Sequence, residues 1–355
     1  MSRDYEYYTK FGWDSNPFTL TISPKLMVGY SNQINSLLSH TFNLHKFALV
    51  IGPTGSGKTT MLLWLRSQLM AYKKFLPFYI SKPPRSMRNL IFLFRSLLGF
   101  SFLDKIRFGN LSPFNITKFL KVKLKNRQLV LLVDEAHECS LTNLEWFRTI
   151  TDSLRNLSII FAGLPTFEKM IETKLPTLFM RITTKAYLNT LSKSETSSLI
   201  SKRIENVGGE GIKPFTTDAI DRIFEITGGF PREVIKVCDK LIKESAEKNI
   251  FTIDRNFIDQ VVTISETPKT VELRVSLSKK QKKILQLLNE NPNLTPSEMV
   301  EHLGSSDYKN KNNAIRSINN ILRRLIRDEF VQRKKFGNSY VYSLSGKAKT
   351  LLAEA

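Results

Sequence analysis

Cysteine, histidine and long apolar runs are scarce in this 355-residue sequence. The two cysteines, Cys139 and Cys238, are too few and too far apart in sequence for a disulfide framework. The four histidines show no spacing typical of a metal site, so we interpret both residue types as structural. No apolar run approaches the length that spans a bilayer, and we therefore expect no membrane partner.

The first ten residues also lack the apolar core of a signal peptide, since they carry acidic and aromatic side chains. This start predicts an intracellular, cytoplasmic protein. The composition, 41% hydrophobic and 24% charged, is typical of globular domains. The length suggests two or three of them.

Acidic residues are outnumbered, with 32 Asp and Glu against 53 Lys and Arg, which gives a net charge of +21. Such an excess favours a polyanionic partner. The alternative is a lysine-rich solvated surface of the kind found in thermophilic proteins.

A phosphate-binding loop is the clearest motif. Gly52 to Thr59 read G-P-T-G-S-G-K-T, after an apolar run, Phe47 to Ile51, and before a helical stretch, Thr60 to Met70. A strand, a glycine-rich turn and a helix N-terminus together direct backbone N–H groups at phosphates. The predicted ATP-binding residues here are Gly52, Pro53, Thr54, Gly55, Ser56, Gly57, Lys58, Thr59 and Thr60. By resemblance to P-loop ATPases, Lys58 is expected to reach the β- and γ-phosphates, and the Thr59 hydroxyl to ligate Mg²⁺.

Strand-like and helical runs alternate from residue 46 to about 190, which predicts a parallel sheet covered by helices. The strand-like runs are Phe47 to Ile51, Phe75 to Ser81, Leu129 to Val133, Leu157 to Ala162 and Thr183 to Leu188. Strands stop at Ser192, where a capping box with Glu195 opens an all-helical region. We predict a lead-in over 1–45, an α/β nucleotide-binding domain over 46–190, a helical domain over 191–264, a linker over 265–276 and a last domain over 277–355.

Two carboxylates follow the predicted strand Leu129 to Val133, at the sheet edge where parallel α/β folds place ligands. Asp134 is the expected Mg²⁺-binding carboxylate. Glu135 is the expected catalytic base, because hydrolysis needs a group that orients and deprotonates the attacking water. His137 completes a helicase-like D-E-A-H, but no other helicase motif follows. We interpret it as a surface residue or one that supports the catalytic groups.

Over roughly residues 10 to 345 the chain resembles AAA+ ATPases, in particular archaeal origin-recognition initiators and the related ATPases of transposition and secretion. The motifs that carry the resemblance are N-P-F at Asn16 to Phe18, the phosphate-binding loop, L-V-D-E-A-H ending at His137, I-I-F-A-G-L-P at Ile159 to Pro165, M-R-I at Met180 to Ile182 and G-G-F-P-R at Gly228 to Arg232. The resemblance implies a helical lid over the nucleotide.

This resemblance implies roles for two arginines, and the sequence departs from the family pattern at one position. Arg232 is expected to reach the γ-phosphate from the start of a lid helix, unless it is an ordinary solvated arginine. Arg181 is expected to act on the nucleotide of a neighbouring subunit. The alternative is an ordinary arginine that precedes a strand and has no role in the site. Related ATPases carry a polar residue near Leu164 to position water. Thr166 could replace it if the turn is shifted, and otherwise hydrolysis is expected to be slow or to depend on a partner.

The last domain reads as three helices and a hairpin, the pattern of a winged helix. Residues 273–355 carry a net charge of +9. Polar and basic residues lie on the third helix beside an apolar stripe, and a basic cluster lies on the hairpin. Such a surface fits the major groove and the phosphates of duplex DNA. The candidate DNA-binding residues are Lys311, Asn313, Arg316, Arg323, Arg333, Lys334 and Lys335. The alternative is a winged helix used for protein contact.

The combined pattern predicts an ATP- and Mg²⁺-dependent ATPase that acts as a nucleotide switch on double-stranded DNA, in a replication-initiator-like role. We expect a homo-oligomer, or assembly with partner AAA+ subunits, in the ATP state. A transposition or mobile-element accessory ATPase and a nucleotide-sensing transcription regulator are the alternatives.

Overall fold

The structure is a computed structural model in which residues 7–265, 279–303, 311–327, 330–336 and 339–345 are described. The chain divides into two compact units, Met1–Asp259 and Gln260–Ala355. The predicted linker lies outside the described residues except for Ser265, which ends a helix. Within the described ranges, no helix is both long and apolar enough to cross a bilayer.

The first unit contains a five-stranded parallel sheet with strand order β2-β3-β4-β1-β5. Its strands are β1 Phe47–Ile51, β2 Phe75–Ile80, β3 Gln128–Val133, β4 Leu157–Gly163 and β5 Ile182–Tyr187. All residues of β1, β3 and β4 are buried, as expected for strands covered on both faces. The predicted parallel sheet is confirmed, with each strand end within one residue of its predicted position.

Helices cover the sheet. They are α1 Ser31–Phe42, α2 Lys58–Met70, α3 Met87–Leu98, α4 Phe102–Phe108, α5 Ile116–Leu124, α6 Leu141–Asp152, α7 Pro165–Lys174 and α8 Pro176–Phe179. Aromatic side chains fill the core between these layers: the Phe47 and Phe161 rings stack at 6.2 Å, and Phe147 and Phe167 meet Phe161 edge-on. These ring contacts join β1 and β4 to α6 and α7.

Four helices follow the sheet: α9 Lys193–Glu205, α10 Thr217–Thr227, α11 Pro231–Glu247 and α12 Arg255–Ser265. The predicted capping box forms at the start of α9, where the Glu195 N–H donates to Ser192 Oγ and the Ser192 N–H donates to Glu195 Oε2, at 3.2 and 2.8 Å. Two of the backbone N–H groups at this helix end therefore have partners, which is why the helix starts here.

The residues before α1 pack on this helical region. Arg203 of α9 is buried and donates from one terminal nitrogen to the carbonyl oxygens of Pro17 and Thr19, at 2.8 and 2.9 Å. Asn16 donates to Asp239 of α11 at 2.7 Å. The lead-in is thus fastened to the helices by buried polar contacts, although it precedes the sheet in sequence.

The second unit contains α13 Lys279–Glu290, α14 Pro296–Leu303, α15 Lys311–Arg327 and the antiparallel strands β6 Val331–Phe336 and β7 Ser339–Leu344. One apolar cluster joins all of these elements, including Leu288, Met299, Leu322 and Val331. This arrangement is the predicted winged helix. Phe336 is the last residue of β6, and positions 337–338 lie outside the described residues.

Candidate nucleotide-binding site

The phosphate-binding loop joins the end of β1, Ile51, to the start of α2, Lys58. Gly55 and Gly57 have φ angles of +85° and +96°, the left-handed region that glycine adopts without strain. A Cβ on Gly52 would lie 2.5 Å from both the Leu188 carbonyl oxygen and Ser56 Oγ. Ser56 Oγ is buried and has no hydrogen-bond partner among the described residues. The loop therefore packs closely against the Leu188 backbone and contains a buried hydroxyl without a partner in the described part of the chain. Both features are expected of a loop that binds phosphate.

Lys58 is folded into the loop. Its ammonium donates to the carbonyl oxygens of Gly52 and Pro53, at 2.8 and 2.9 Å. Burial lowers the pKa of this ammonium, while the nearby carboxylates of Glu135 and Asp134 act to raise it. The ammonium is therefore held inside the phosphate-binding loop, between its backbone carbonyl groups and the two carboxylates.

Asp134 is brought together with Thr59, as the two predicted metal-binding residues require. Thr59 Oγ1 donates to Asp134 Oδ2 at 2.6 Å, and the Glu135 N–H donates to Oδ1 at 2.9 Å. A hydroxyl and a carboxylate are hard oxygen donors of the kind that Mg²⁺ prefers. The residues present therefore fit this ion.

Tyr79 also contacts Asp134, and the sequence analysis did not identify it. Its hydroxyl donates to Asp134 Oδ2 at 2.9 Å, and burial followed by the Asp134 charge raises the pKa of the phenol. The strand register explains the contact, because Ile80 of β2 pairs with Val133, the residue before Asp134. The position of Tyr79 near the end of β2, the strand next to β3, could have indicated this contact with Asp134.

Glu135 follows β3 in a left-handed conformation, with φ 48°, and its side chain lines the same cavity as Lys58. His137 Nδ1 lies 3.4 Å from Glu135 Oε2. His137 is thus half-buried beside the Glu135 carboxylate rather than a plain surface residue.

Residues of the phosphate-binding loop, the lead-in and the helical region line one cavity together with Glu135. It is lined by Leu20, Thr21, Ile22, Ser23, Leu26, Met27, Val28, Tyr30, Thr54, Gly55, Ser56, Gly57, Lys58, Thr59, Thr60, Glu135, Leu191, Leu199, Arg203, Pro231, Arg232 and Ile235. The aliphatic residues from Leu20 to Val28 form an apolar wall that the sequence analysis missed, since an alternating T-L-T-I run was its only signal. Tyr30 Oη donates to the Ser56 carbonyl at 3.1 Å and so ties this wall to the loop.

Arg232 lies directly against the loop. A Cβ on Gly55 would lie 2.9 Å from Arg232 Cβ and 3.6 Å from its Nε. Pro231 is the first residue of α11, as predicted, and the Leu191 N–H donates to the Gly229 carbonyl at 2.8 Å just before it. Gly229 has φ +72°, and a Cβ there would clash with the Leu191 carbonyl. The glycine turn is therefore what places the arginine at the cavity.

Arg181 is not brought to this cavity. It precedes Ile182, which pairs with Phe47 at the start of β1, whereas the phosphate-binding loop follows the end of β1. Its Nε donates to Asp152 Oδ1 at 3.0 Å and lies 2.9 Å from Oδ2 of the same carboxylate. A terminal nitrogen donates to the Thr177 carbonyl at 2.7 Å. Arg181 thus occupies the opposite end of the sheet from the chain's own loop.

Leu164 and Thr166 do not line the cavity either. Leu164 is half-buried and immediately precedes α7, while Thr166 is exposed at the second position of that helix. The structure therefore brings no polar side chain from either position to the described cavity.

The candidate DNA-binding residues lie on the outside of the second unit. Asn313, Arg316 and Arg323 are exposed on α15, as are Asn312, Asn320 and Arg324. Lys311 begins this helix, but its side chain lies outside the described residues. The opposite face is buried at Ala314, Ile318, Leu322 and Leu325.

The hairpin residues Arg333, Lys334 and Lys335 are all exposed on β6. The Arg333 guanidinium stacks over the Tyr340 ring of β7 at 4.3 Å. This contact limits the motion of one of the three cations.

Comparison with known proteins agrees with this geometry. Residues 43–171 match the family described as AAA domain. Residues 43–171 therefore form an AAA domain. Residues 277–355 match the family described as Penicillinase repressor, which covers the winged helix.

Two curated relatives match part of the chain. One is an uncharacterized HTH-type transcriptional regulator of Methanocaldococcus jannaschii, 24% identical over 65% of this chain and 56% of its own length. The other is General secretion pathway protein A of Aeromonas hydrophila, 26% identical over 66% of this chain and 44% of its own length. The chain thus spans about half the length of these relatives.

Solved structures share the fold of nearly the whole chain. The Aeropyrum pernix ORC2 protein in ADPNP-ADP complexes has a TM-score of 0.62 at 14% identity, over 96% of each chain. Drosophila ORC bound to DNA has a TM-score of 0.56 at 13% identity, over 99% of this chain and 93% of that one. The Aeropyrum pernix ORC1 protein in complex with DNA has a TM-score of 0.53 at 14% identity, over 95% of each. The AAA domain and winged helix therefore have the ORC-like fold.

Proposed function

We propose that this protein is an ATP-dependent, DNA-binding AAA+ ATPase whose affinity for duplex DNA changes with the bound nucleotide, in a replication-initiator-like role. The observation that carries the proposal is the single cavity in which Lys58 of the loop, Glu135 of the sheet and Arg232 of the helical lid all meet. A ligand that contacts all three would hold the lid and the sheet together, and its cleavage would release them.

ATP with Mg²⁺ is the ligand that fits these residues. Lys58 would contact the β- and γ-phosphates, Thr59 and Asp134 would hold the metal, and Arg232 would contact the γ-phosphate. Mg²⁺ supplies neutralisation of the charge on the phosphate oxygens. Glu135 would orient and deprotonate water, and the aliphatic wall from Leu20 to Val28 is suited to an adenine ring.

Hydrolysis in this proposal is slow or depends on DNA or a partner. The Leu164 side chain cannot hydrogen-bond a water molecule, and Thr166 is exposed outside the cavity. Neither residue would position the attacking water, which supports slow hydrolysis. The ion pair between Arg181 and Asp152 also supports slow or partner-dependent hydrolysis. The nucleotide of a neighbouring subunit would have to compete with Asp152 for this arginine. Assembly with other copies or partner AAA+ subunits would then switch turnover on.

Double-stranded DNA is the proposed partner of the winged helix. Exposed Asn313, Arg316 and Arg323 would face the major groove, and Arg333, Lys334 and Lys335 would contact phosphates. The ORC structures in complex with DNA, which share this fold, give the proposal additional support.

The test is the affinity of the full chain for duplex DNA with a non-hydrolysable ATP analogue, with ADP and without nucleotide. We expect at least about a tenfold difference between the analogue and ADP, equivalent to about 1.4 kcal/mol. Lys58→Ala should remove the difference, whereas Lys169→Ala, on the exposed side of α7, should keep it. Equal affinities in all three states of the wild-type protein would refute the switch.

A transcription regulator is the second candidate, favoured by the Penicillinase repressor match of residues 277–355 and by the HTH-type regulator among the relatives. Such a protein would bind a palindromic site as a dimer whatever the nucleotide. Sequencing of DNA fragments retained by the protein, with and without ATP, separates the two. A palindrome enriched equally in both samples supports the regulator.

A further inference from the structure

The segment between β2 and β3 carries a concentration of positive charge that the proposed function does not use. From Ser81 to Arg127 the sequence has eleven lysines and arginines and a single carboxylate, Asp104. This segment supplies about half of the net charge of +21. Every residue of it lies within the described part of the chain, and it contains α3, α4 and α5.

Helix α4 presents its apolar side chains to solvent. Phe102, Leu103 and Ile106 are 76%, 74% and 68% exposed. At about 100° per residue these three side chains lie within one third of the helix circumference, with Lys105 on one side and Arg107 on the other. Both cations are exposed as well. The outer face of α4 is therefore an apolar stripe bordered by positive charges.

The opposite face of α4 is firmly attached to the domain. Asp104 is buried and pairs with Lys123 of α5 at 2.6 Å, and it also accepts hydrogen bonds from the Ser101 N–H and hydroxyl at 2.7 Å. The Phe108 ring meets Phe119 of α5 edge-on at 5.7 Å. These contacts fix which side of the helix is turned inward. The exposure of the stripe is thus built into the domain.

We propose that α4 docks on an anionic membrane surface, with Phe102, Leu103 and Ile106 inserted among the lipid chains and Lys105 and Arg107 at the headgroups. An apolar stripe bordered by cations is the pattern of helices that lie in a bilayer interface. Such association needs no spanning helix, so it departs from the expectation of no membrane partner, which rested on the lack of a run long enough to span a bilayer. The surrounding excess of cations complements anionic headgroups, each adding about fivefold in partition.

Lipid fits this surface better than nucleic acid does. Bases stack on aromatic rings, but Leu103 and Ile106 are aliphatic and offer no such platform. A bilayer accommodates phenylalanine, leucine and isoleucine alike, because burial of apolar area alone drives insertion. Phe114, 88% exposed in the loop before α5, adds a further apolar side chain on the same basic segment.

The test is co-sedimentation of the full chain with vesicles of phosphatidylcholine alone or mixed with phosphatidylglycerol. We expect partition into the anionic vesicles only. Leu103→Ser with Ile106→Ser should lower it about a hundredfold, and Lys105→Gln with Arg107→Gln about twenty-five-fold. The matched controls are Met70→Ser, an exposed apolar residue at the end of α2, and Lys169→Gln with Lys174→Gln on α7, which should bind like the wild type. Binding of a fluorescent ATP analogue confirms that each variant is folded.

Insertion itself is tested with Phe102→Trp and lipids brominated along the acyl chain. Quenching of the added tryptophan, beyond that of the wild-type tryptophans, is expected if the stripe enters the bilayer. Partition unchanged by Leu103→Ser with Ile106→Ser would mean that net charge alone attracts the protein, and would overturn the proposal. So would the absence of binding to anionic vesicles, or a loss of DNA binding in the stripe variant with vesicle binding intact.

Discussion

Lys58 and Glu135 line the same cavity, yet their contacts imply different tasks. Lys58 is held inside the phosphate-binding loop by two backbone carbonyl groups, where its charge would meet bound phosphates. Glu135 stands at the end of β3 with its side chain partly exposed and His137 beside it. Removal of the first should therefore affect ligand binding, and neutralisation of the second should affect chemistry.

Lys58→Ala is expected to abolish tight ATP binding, because it removes the charge contact to the phosphates. Glu135→Gln should bind ATP like the wild type and lose turnover by about a hundredfold or more, since an amide cannot accept the proton of the attacking water. Fluorescent-nucleotide titration and phosphate release measure the two effects separately. Wild-type hydrolysis by Glu135→Gln would show that the base has been assigned wrongly.

His40 gives the fold a dependence on pH. It is 1% exposed on α1, and burial, with a smaller effect from His45, lowers its pKa from 6.5 to about 4. The folded state therefore binds this proton more weakly than the unfolded state. Its stabilising contribution is complete above about pH 6.5 and is lost as the pH falls towards 4, by up to about 3 kcal/mol.

Urea denaturation of the wild type and of His40→Gln between pH 7.5 and 4.5 measures this effect. The free energy of unfolding should fall more steeply with decreasing pH for the wild type, because the variant lacks the titrating ring. Parallel curves for the two proteins would exclude His40 as the cause.

At the scale of elements, short turns decide where charged groups lie. The turn through Gly229 packs on the Leu191 backbone and starts α11 at Pro231, so that Arg232 lies over Gly55 of the loop. In the winged helix, one face of α15 is buried in the core and the opposite, polar face is exposed. Strand β6 exposes three consecutive cations. These two surfaces of the winged helix are expected to contact different parts of DNA.

Replacement of Arg333, Lys334 and Lys335 by alanine should weaken binding to all duplexes about equally. The slope of log K against log salt should fall by about one unit per lost phosphate contact. Arg316→Ala on α15 should instead cost about 1–3 kcal/mol on the preferred site and little on random DNA. Anisotropy titrations at several salt concentrations distinguish the two classes. A site-specific loss in the β6 variant would reverse the assignment.

At the scale of the whole molecule, the sheet separates two arginines. Because β1 and β5 run parallel, the loop after β1 and Arg181 before β5 lie at opposite ends of the sheet. Arg232 lines the chain's own cavity, and we expect Arg181 to act on the nucleotide of another subunit.

Arg181→Ala is accordingly expected to lower ATP turnover by about a thousandfold, in the range of arginines that act in trans. Mixing it with Lys58→Ala protein should restore part of the activity, since one variant contributes an intact cavity and the other an intact Arg181. Phosphate release from the mixture, compared with each variant alone, is the measurement. Full activity of Arg181→Ala by itself would remove this residue from the reaction.

The order of the helices and strands and the local motifs could be read from the amino-acid sequence. Apolar runs of strand length, the glycine spacing of the loop, the Ser192 capping box and the proline before Arg232 act over a few residues, so their physical causes are visible in the chain. The five strands and the three helices and hairpin of the second unit were therefore predictable.

Contacts between residues far apart in sequence became visible only in the folded protein. Tyr79 reaches Asp134 through the register of two strands, and the aliphatic wall from Leu20 to Val28 reaches the cavity because the lead-in packs on α9. The outward stripe of α4 depends on the Asp104–Lys123 pair, which joins two helices. Contacts of this kind depend on packing between elements far apart in sequence, and no local pattern encodes that packing.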